Sequence, residues 1–144
     1  MTDLLSPRLD EIVAALPLRS GMRVLEIGGA PGTAARAVAS RVGPAGHVLV
    51  LDRSESGIAR TQRTCSHEIR AGILTTFRAP VEDFTLPPGV RLFDIAFACR
   101  VGALDGRHPR LFEPALACIA NALTPQGRLY VDTGSPLREL PLTR

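Results

Sequence analysis

A chain of 144 residues is long enough for one globular domain with a real core and too short for two. Hydrophobic residues at 45% and charged residues at 22% exclude a disordered chain or a disulfide scaffold. The net charge of +3 comes from 17 scattered arginines with no lysine, and with 4% aromatics and no tryptophan it gives no sign of a nucleic-acid partner.

The first patterned segment places Ser6 as a helix cap and Pro7 in the first turn, with Leu9, Ile12, Val13 and Leu16 at helical spacing before Pro17. A turn at Arg19, Ser20 and Gly21 leads into a strand over Met22 to Ile27, then a glycine cluster, then an alanine-rich helix from Thr33 to Val42. His47 to Leu51 is a continuous apolar run ending in Asp52, as a buried parallel strand reads, and Ser54 caps a helix running to about Cys65. Ile73 to Phe77 predicts a third strand, residues 78–92 a loop or short helix, and Phe93 to Cys99 a fourth strand. A helix from about Pro109 to Leu123 is broken by Thr124, Pro125, Gln126 and Gly127 before a strand over Arg128 to Asp132. Alternating strands and helices predict an α/β fold, a Rossmann-like doubly wound, mainly parallel sheet of about five strands. The expected organisation is a single domain over residues 1–144, with a helical segment at 1–20, the core at 21–132 and a tail at 133–144.

In an open parallel sheet, ligands bind beyond the carboxyl ends of the strands, where the strand order reverses. The first strand ends as Glu26, Ile27, Gly28, Gly29, Ala30, Pro31, Gly32, a backbone that a ligand can approach closely before helix amides begin. The second ends in Asp52, about 20 residues beyond Gly32, where a carboxylate can accept hydrogen bonds from a pair of ribose hydroxyls. The plainer alternatives are that Asp52 caps the following helix and that Glu26 is an ordinary strand-end acid. A dinucleotide loop would need glycines at positions 30 and 33, where Ala30 and Thr33 stand, so NAD is disfavoured.

The string Glu26-Ile27-Gly28-Gly29-Ala30-Pro31-Gly32 resembles motif I of the class I S-adenosylmethionine-dependent methyltransferases, with alanine at the middle glycine. The resemblance runs from about Gly21 to Asp132 and takes in Asp52, the Glu82-Asp83 segment, Phe93-Asp94 and the Leu123 to Leu129 turn. It implies that Glu26, Gly28, Gly29, Ala30 and Gly32 hold the methionine moiety of S-adenosylmethionine, with S-adenosylhomocysteine as product. It also implies that Asp52 holds the ribose and Arg53 flanks the adenine, with Val81, Glu82 or Asp83 the candidates for the adenine amino group. Cys99 would lie beside the methionine amino group.

The implied reaction is methyl transfer to a small-molecule acceptor, and the alternative is a non-catalytic or regulatory S-adenosylmethionine-binding protein. No catalytic residue is assigned; Arg100, Asp105 and His108, in the loop after the fourth strand, are the acceptor-side candidates. That loop begins Cys99-Arg100-Val101-Gly102, unlike the acceptor motif of nucleic-acid methyltransferases. Members of the family carry two further strands as a hairpin beside the fifth. Here only residues 133–144 follow it, so the hairpin is largely missing and the fifth strand is expected to be an edge, covered by the tail or by a second subunit in a homodimer. Cys65, Cys99 and Cys118 are odd in number and widely spaced, which fits a reducing compartment and no metal framework. With no apolar run near the roughly 18 residues of a membrane span, and acids where a signal peptide carries bases, the expected location is cytoplasmic, away from membranes.

Overall fold

The structure, a computed structural model, describes residues 4–143. Helix α1 (Pro7–Ala15) begins where the Ser6 hydroxyl accepts the Leu9 N–H at 3.2 Å, and it turns Ile12 and Val13 inward. Strand β1 (Arg23–Ile27), helix α2 (Thr33–Val42) and strand β2 (His47–Asp52) follow as their patterns predict. Helix α3 (Glu55–Thr64) is capped by the Ser54 hydroxyl, which accepts the Gly57 N–H at 3.1 Å, and is continued by a short α4 (Ser66–Arg70) that the sequence pattern did not suggest. Strand β3 (Leu74–Arg78), a single 3-10 turn at Val81–Asp83, strand β4 (Phe93–Ala98), helix α5 (Phe112–Ala122) and strand β5 (Leu123–Val131) complete the core.

The sheet order is β3-β2-β1-β4-β5-β6, with β1 to β5 parallel. The order reverses between β1 and β4, so a crevice opens at the carboxyl ends of those two strands. Alternate residues fill opposite faces. Val24, Val48 and Val50 pack on α2 through Ala34, Ala35 and Val38, while Leu25, Leu49 and Phe93 share the other core with Ala115 and Ile119 of α5.

Two expectations change. Thr124 to Gly127 is not a break ahead of the fifth strand but an excursion within it, because Phe93 pairs with Leu123 while Ile95 pairs with Arg128, leaving extra residues on β5. The fifth strand is not the edge, because the tail covers it as a sixth strand: β6 (Arg138–Leu140) runs antiparallel to β5 and pairs with Leu129, Tyr130 and Val131, burying Leu140. The sheet therefore has six strands, and the edge offered to a second subunit is β6 rather than β5. Among the described residues, no helix is long and apolar enough to cross a membrane.

Candidate functional site

Two adjoining hollows of about 350 and 530 Å³ lie beyond the carboxyl ends of β1, β2 and β4 and share Gly28 and Arg100 in their walls. This is the volume range of small-molecule and cofactor sites. Asp52, Arg53, Val81 and Glu82 line one end. Glu26, Gly29, Ala30, Thr33 and Cys99 line the other, where α1 contributes Arg8, Leu9 and Ile12.

The glycine loop is shaped by close approach. Gly28 has φ +70°, a left-handed backbone that a side chain strains, and a Cβ there would sit 2.9 Å from Val101 Cγ2, inside the cleft. A Cβ on Gly29 would strike Val50 Cγ1 at 2.5 Å and the Glu26 carboxyl at 3.0 Å, so only glycine lets the loop fold down over Glu26. Gly32 lies outside the lining of both hollows. With φ +102° it caps α2, and the space a Cβ would need is taken by Cys65 Sγ and Thr61 of the α3 segment, so its constraint is helix packing rather than ligand contact.

Glu26 is 3% exposed, and its Oε1 has no hydrogen-bond partner. Burial, then the negative charge of Asp52, pushes its carboxyl up to about 8. A buried acid without a partner is costly unless something cationic or hydrogen-bonding meets it.

Asp52 differs. Its Oδ1 accepts the Ser54 N–H at 2.9 Å and its Oδ2 the Ala30 N–H at 3.3 Å, which ties the end of β2 to the glycine loop. Ser54, not Asp52, caps α3. Each carboxylate oxygen retains acceptor capacity, and Asp52 lines the cleft. Gly57 brings the first turn of α3 against this carboxylate, since a Cβ there would lie 3.0 Å from all three of its carboxyl heavy atoms.

The other side of the cleft is organised around a residue the sequence did not single out. Asp132, at the end of β5, accepts the Arg100 N–H at 3.2 Å and the Arg8 guanidinium at 2.7 Å. It thereby fixes Arg100, whose φ of +56° is left-handed for a non-glycine residue, and anchors α1 to the cleft. Arg107 adds a second tie, donating to the Arg100 carbonyl at 2.7 Å while its Nε grips the Asp105 carboxylate at 2.9 and 3.0 Å. That grip holds Asp105 below the usual carboxylate range and leaves it in a neighbouring hollow, outside the cleft. Of the acceptor-side candidates, Arg100 and His108 line the cleft and Asp105 does not. Of the adenine-side candidates, Val81 and Glu82 line it, whereas Asp83 is exposed outside it. Cys99 lines the cleft as a thiol pushed up to about 12, by burial first and then by Glu26 and Asp132, so it is not a thiolate nucleophile near neutral pH. Arg8 is 124 residues from its partner Asp132, and no local pattern marks either.

A family model described as "Methyltransferase domain" matches residues 24–127, from β1 into the β5 excursion. The "Ubiquinone/menaquinone biosynthesis C-methyltransferase UbiE" of Bordetella parapertussis is 34% identical over 139 residues, covering 91% of this chain and 50% of the relative. The chain thus spans about half the length of the curated relatives it matches. Two solved structures share the fold at 18% identity and a TM-score of 0.66, both titled as S-adenosylmethionine-dependent methyltransferases in complex with S-adenosyl-L-homocysteine. The one from Geobacter sulfurreducens is covered over 88% of this chain and 48% of its own, and the one from Thiobacillus denitrificans over 91% and 50%.

Proposed function

Since this chain belongs to the class I S-adenosylmethionine-dependent methyltransferase family, we propose that its cleft binds S-adenosylmethionine and that it transfers the methyl group to a small-molecule acceptor. The observation that carries the reading is the pairing of two carboxylates with opposite environments across one glycine loop. Glu26 is buried with an unpartnered oxygen, a fit for a cationic amino group, and Asp52 is held by two backbone N–H groups with acceptor capacity to spare, a fit for vicinal hydroxyls. Gly28 keeps the cleft free of a Cβ beside Val101, Gly29 lets the loop close down over Glu26, and Val81 offers an apolar surface at the Asp52 end. Arg53 flanks that end and Glu82 is the acid within it that an adenine amino group would meet.

When bound, the sulfonium supplies an electrophilic methyl group. The chain's contribution is to fix the donor through Glu26 and Asp52 and to hold the acceptor in line. It also excludes water with the apolar walls of α1 (Leu9 and Ile12) and of the loop after β4 (Val101). Arg100 and His108 are the groups placed to touch an acceptor. The named reaction of the curated relatives makes quinone-type rings the first acceptors to assay. The unpaired thiols of Cys65, Cys99 and Cys118 support a cytoplasmic setting.

The test is turnover. Purified protein incubated with methyl-tritiated S-adenosylmethionine and a panel of quinol and phenolic acceptors is expected to transfer label to at least one and to release S-adenosylhomocysteine stoichiometrically. Tight cofactor binding with no transfer to any acceptor would instead favour a binding protein without catalysis.

A further inference from the structure

We propose a second small-molecule site, for an anion with a flat apolar body, in the hollow between Arg23, Arg91 and the open face of β2 and β3. This hollow, about 410 Å³, lies beside the amino ends of the strands, with Arg23 opening β1 and His47 opening β2. A five-residue strand, roughly 15 Å at 3.3 Å per residue, separates it from the glycine loop. It is open because residues 79–92 connect β3 to β4 with a single 3-10 turn rather than a crossover helix. α5 covers β4 and β5 on this face, and among the described residues no helix lies over the start of β2 and β3 there.

The floor is apolar, formed by Leu49 and Phe77, and the rim is cationic. The Arg23 guanidinium donates to the carbonyls of Leu92 and Arg91 at 3.3 and 3.2 Å and lies 4.8 Å from the centre of the Phe93 ring. These partners are neutral, and only the nearby Asp94 carboxylate offsets part of its charge. Arg91 is exposed and makes no ion pair or side-chain hydrogen bond among the described residues. Burial first and the Arg91 charge second lower the Arg23 pKa, as expected for two guanidiniums facing one hollow, with Asp94 acting in the opposite direction. Asp94, the acid beside them, accepts the Arg23 backbone N–H at 2.9 Å with Oδ2. Val90, exposed beside Arg91, also lines the hollow and adds to its apolar surface. The unpaired Arg91 guanidinium, with Arg23 beside it only partly offset by Asp94, stands above an apolar floor and selects an anionic group on a hydrophobic body, and the volume suits a molecule of one or two rings.

The probe is 8-anilinonaphthalene-1-sulfonate, followed by fluorescence. The expected result is saturable binding at one equivalent, weakened by about tenfold or more in Arg91→Ala and largely restored in Arg91→Lys. The uncharged analogue N-phenyl-1-naphthylamine is expected to bind at least about tenfold more weakly, because it cannot use the guanidiniums. S-adenosylhomocysteine should leave the signal unchanged. Equal binding by Arg91→Ala, equal binding of the uncharged analogue, or displacement by S-adenosylhomocysteine would each overturn the proposal.

Discussion

Replacing Glu26 by glutamine separates two roles of one side chain. The wild-type carboxyl is moved from its ordinary 4.5 to about 8 in the folded protein, chiefly by burial. The folded state therefore holds a proton that the unfolded state has lost between those two values. Stability contributed by the protonated acid is full below about pH 4.5, declines as pH rises toward 8 and is flat beyond. The whole difference amounts to on the order of 5 kcal/mol. Glutamine is neutral throughout, so Glu26→Gln should abolish the slope. The net gain near pH 8 should be smaller, about 2–3 kcal/mol, because a buried amide without partners carries its own cost. Ligand binding should move the other way. A cationic amino group meeting Glu26 favours the carboxylate, so wild-type binding of S-adenosylmethionine near pH 7 should release close to one proton, and the variant should release none and bind about tenfold more weakly or worse. Urea unfolding from pH 5 to 8.5 reads the first effect, and calorimetry in buffers of different ionisation enthalpy reads the second. A flat wild-type stability profile, or equal proton release by wild type and variant, would mean that Glu26 is not held protonated in the free protein.

Gly57→Ala should favour α3 by about 1 kcal/mol on propensity alone, yet its new Cβ would press on the Asp52 carboxylate, 3.0 Å away. Cofactor affinity should fall by about tenfold with little loss of stability, since a displaced hydrogen bond to a charged group is of that size; unchanged affinity would show that Asp52 is not held by this contact. Asp132→Ala removes the acceptor of the Arg100 N–H and the partner of Arg8. It should cost about 1–2 kcal/mol in urea unfolding and speed hydrogen exchange at the Arg100 amide, and unaltered exchange there would mean the turn is held by Arg107 alone.

The features legible in the sequence are those carried by neighbouring residues. Buried runs such as Val48 to Leu51 have no amphipathic ambiguity, and the acids that end them, Glu26 and Asp52, stand at the crevice because parallel strands share one carboxyl end. The glycines were visible, but their separate reasons were not. Gly28 and Gly29 shape the cleft, while Gly32 faces Thr61 and Cys65 of a helix that begins more than twenty residues later. Long-range ties leave no local trace: Arg8 meets Asp132, and Arg23 meets the carbonyls of Arg91 and Leu92, only once the sheet has formed. β6 was missed because three residues with one buried side chain carry no readable alternation. The β5 excursion was read as a boundary because Pro125 and Gly127 are the residues that end strands as well as those that bulge them.

The central claim, that the cleft binds S-adenosylmethionine through its two carboxylates, is tested most directly by calorimetric titration of the purified protein. Wild type and Asp52→Ala are titrated with S-adenosylmethionine, S-adenosylhomocysteine and NAD. Wild type is expected to bind the first two at one site, about tenfold or more weakly in the variant, and not to bind NAD. Failure of wild type to bind either adenosyl ligand, or binding that Asp52→Ala leaves unchanged, would contradict it.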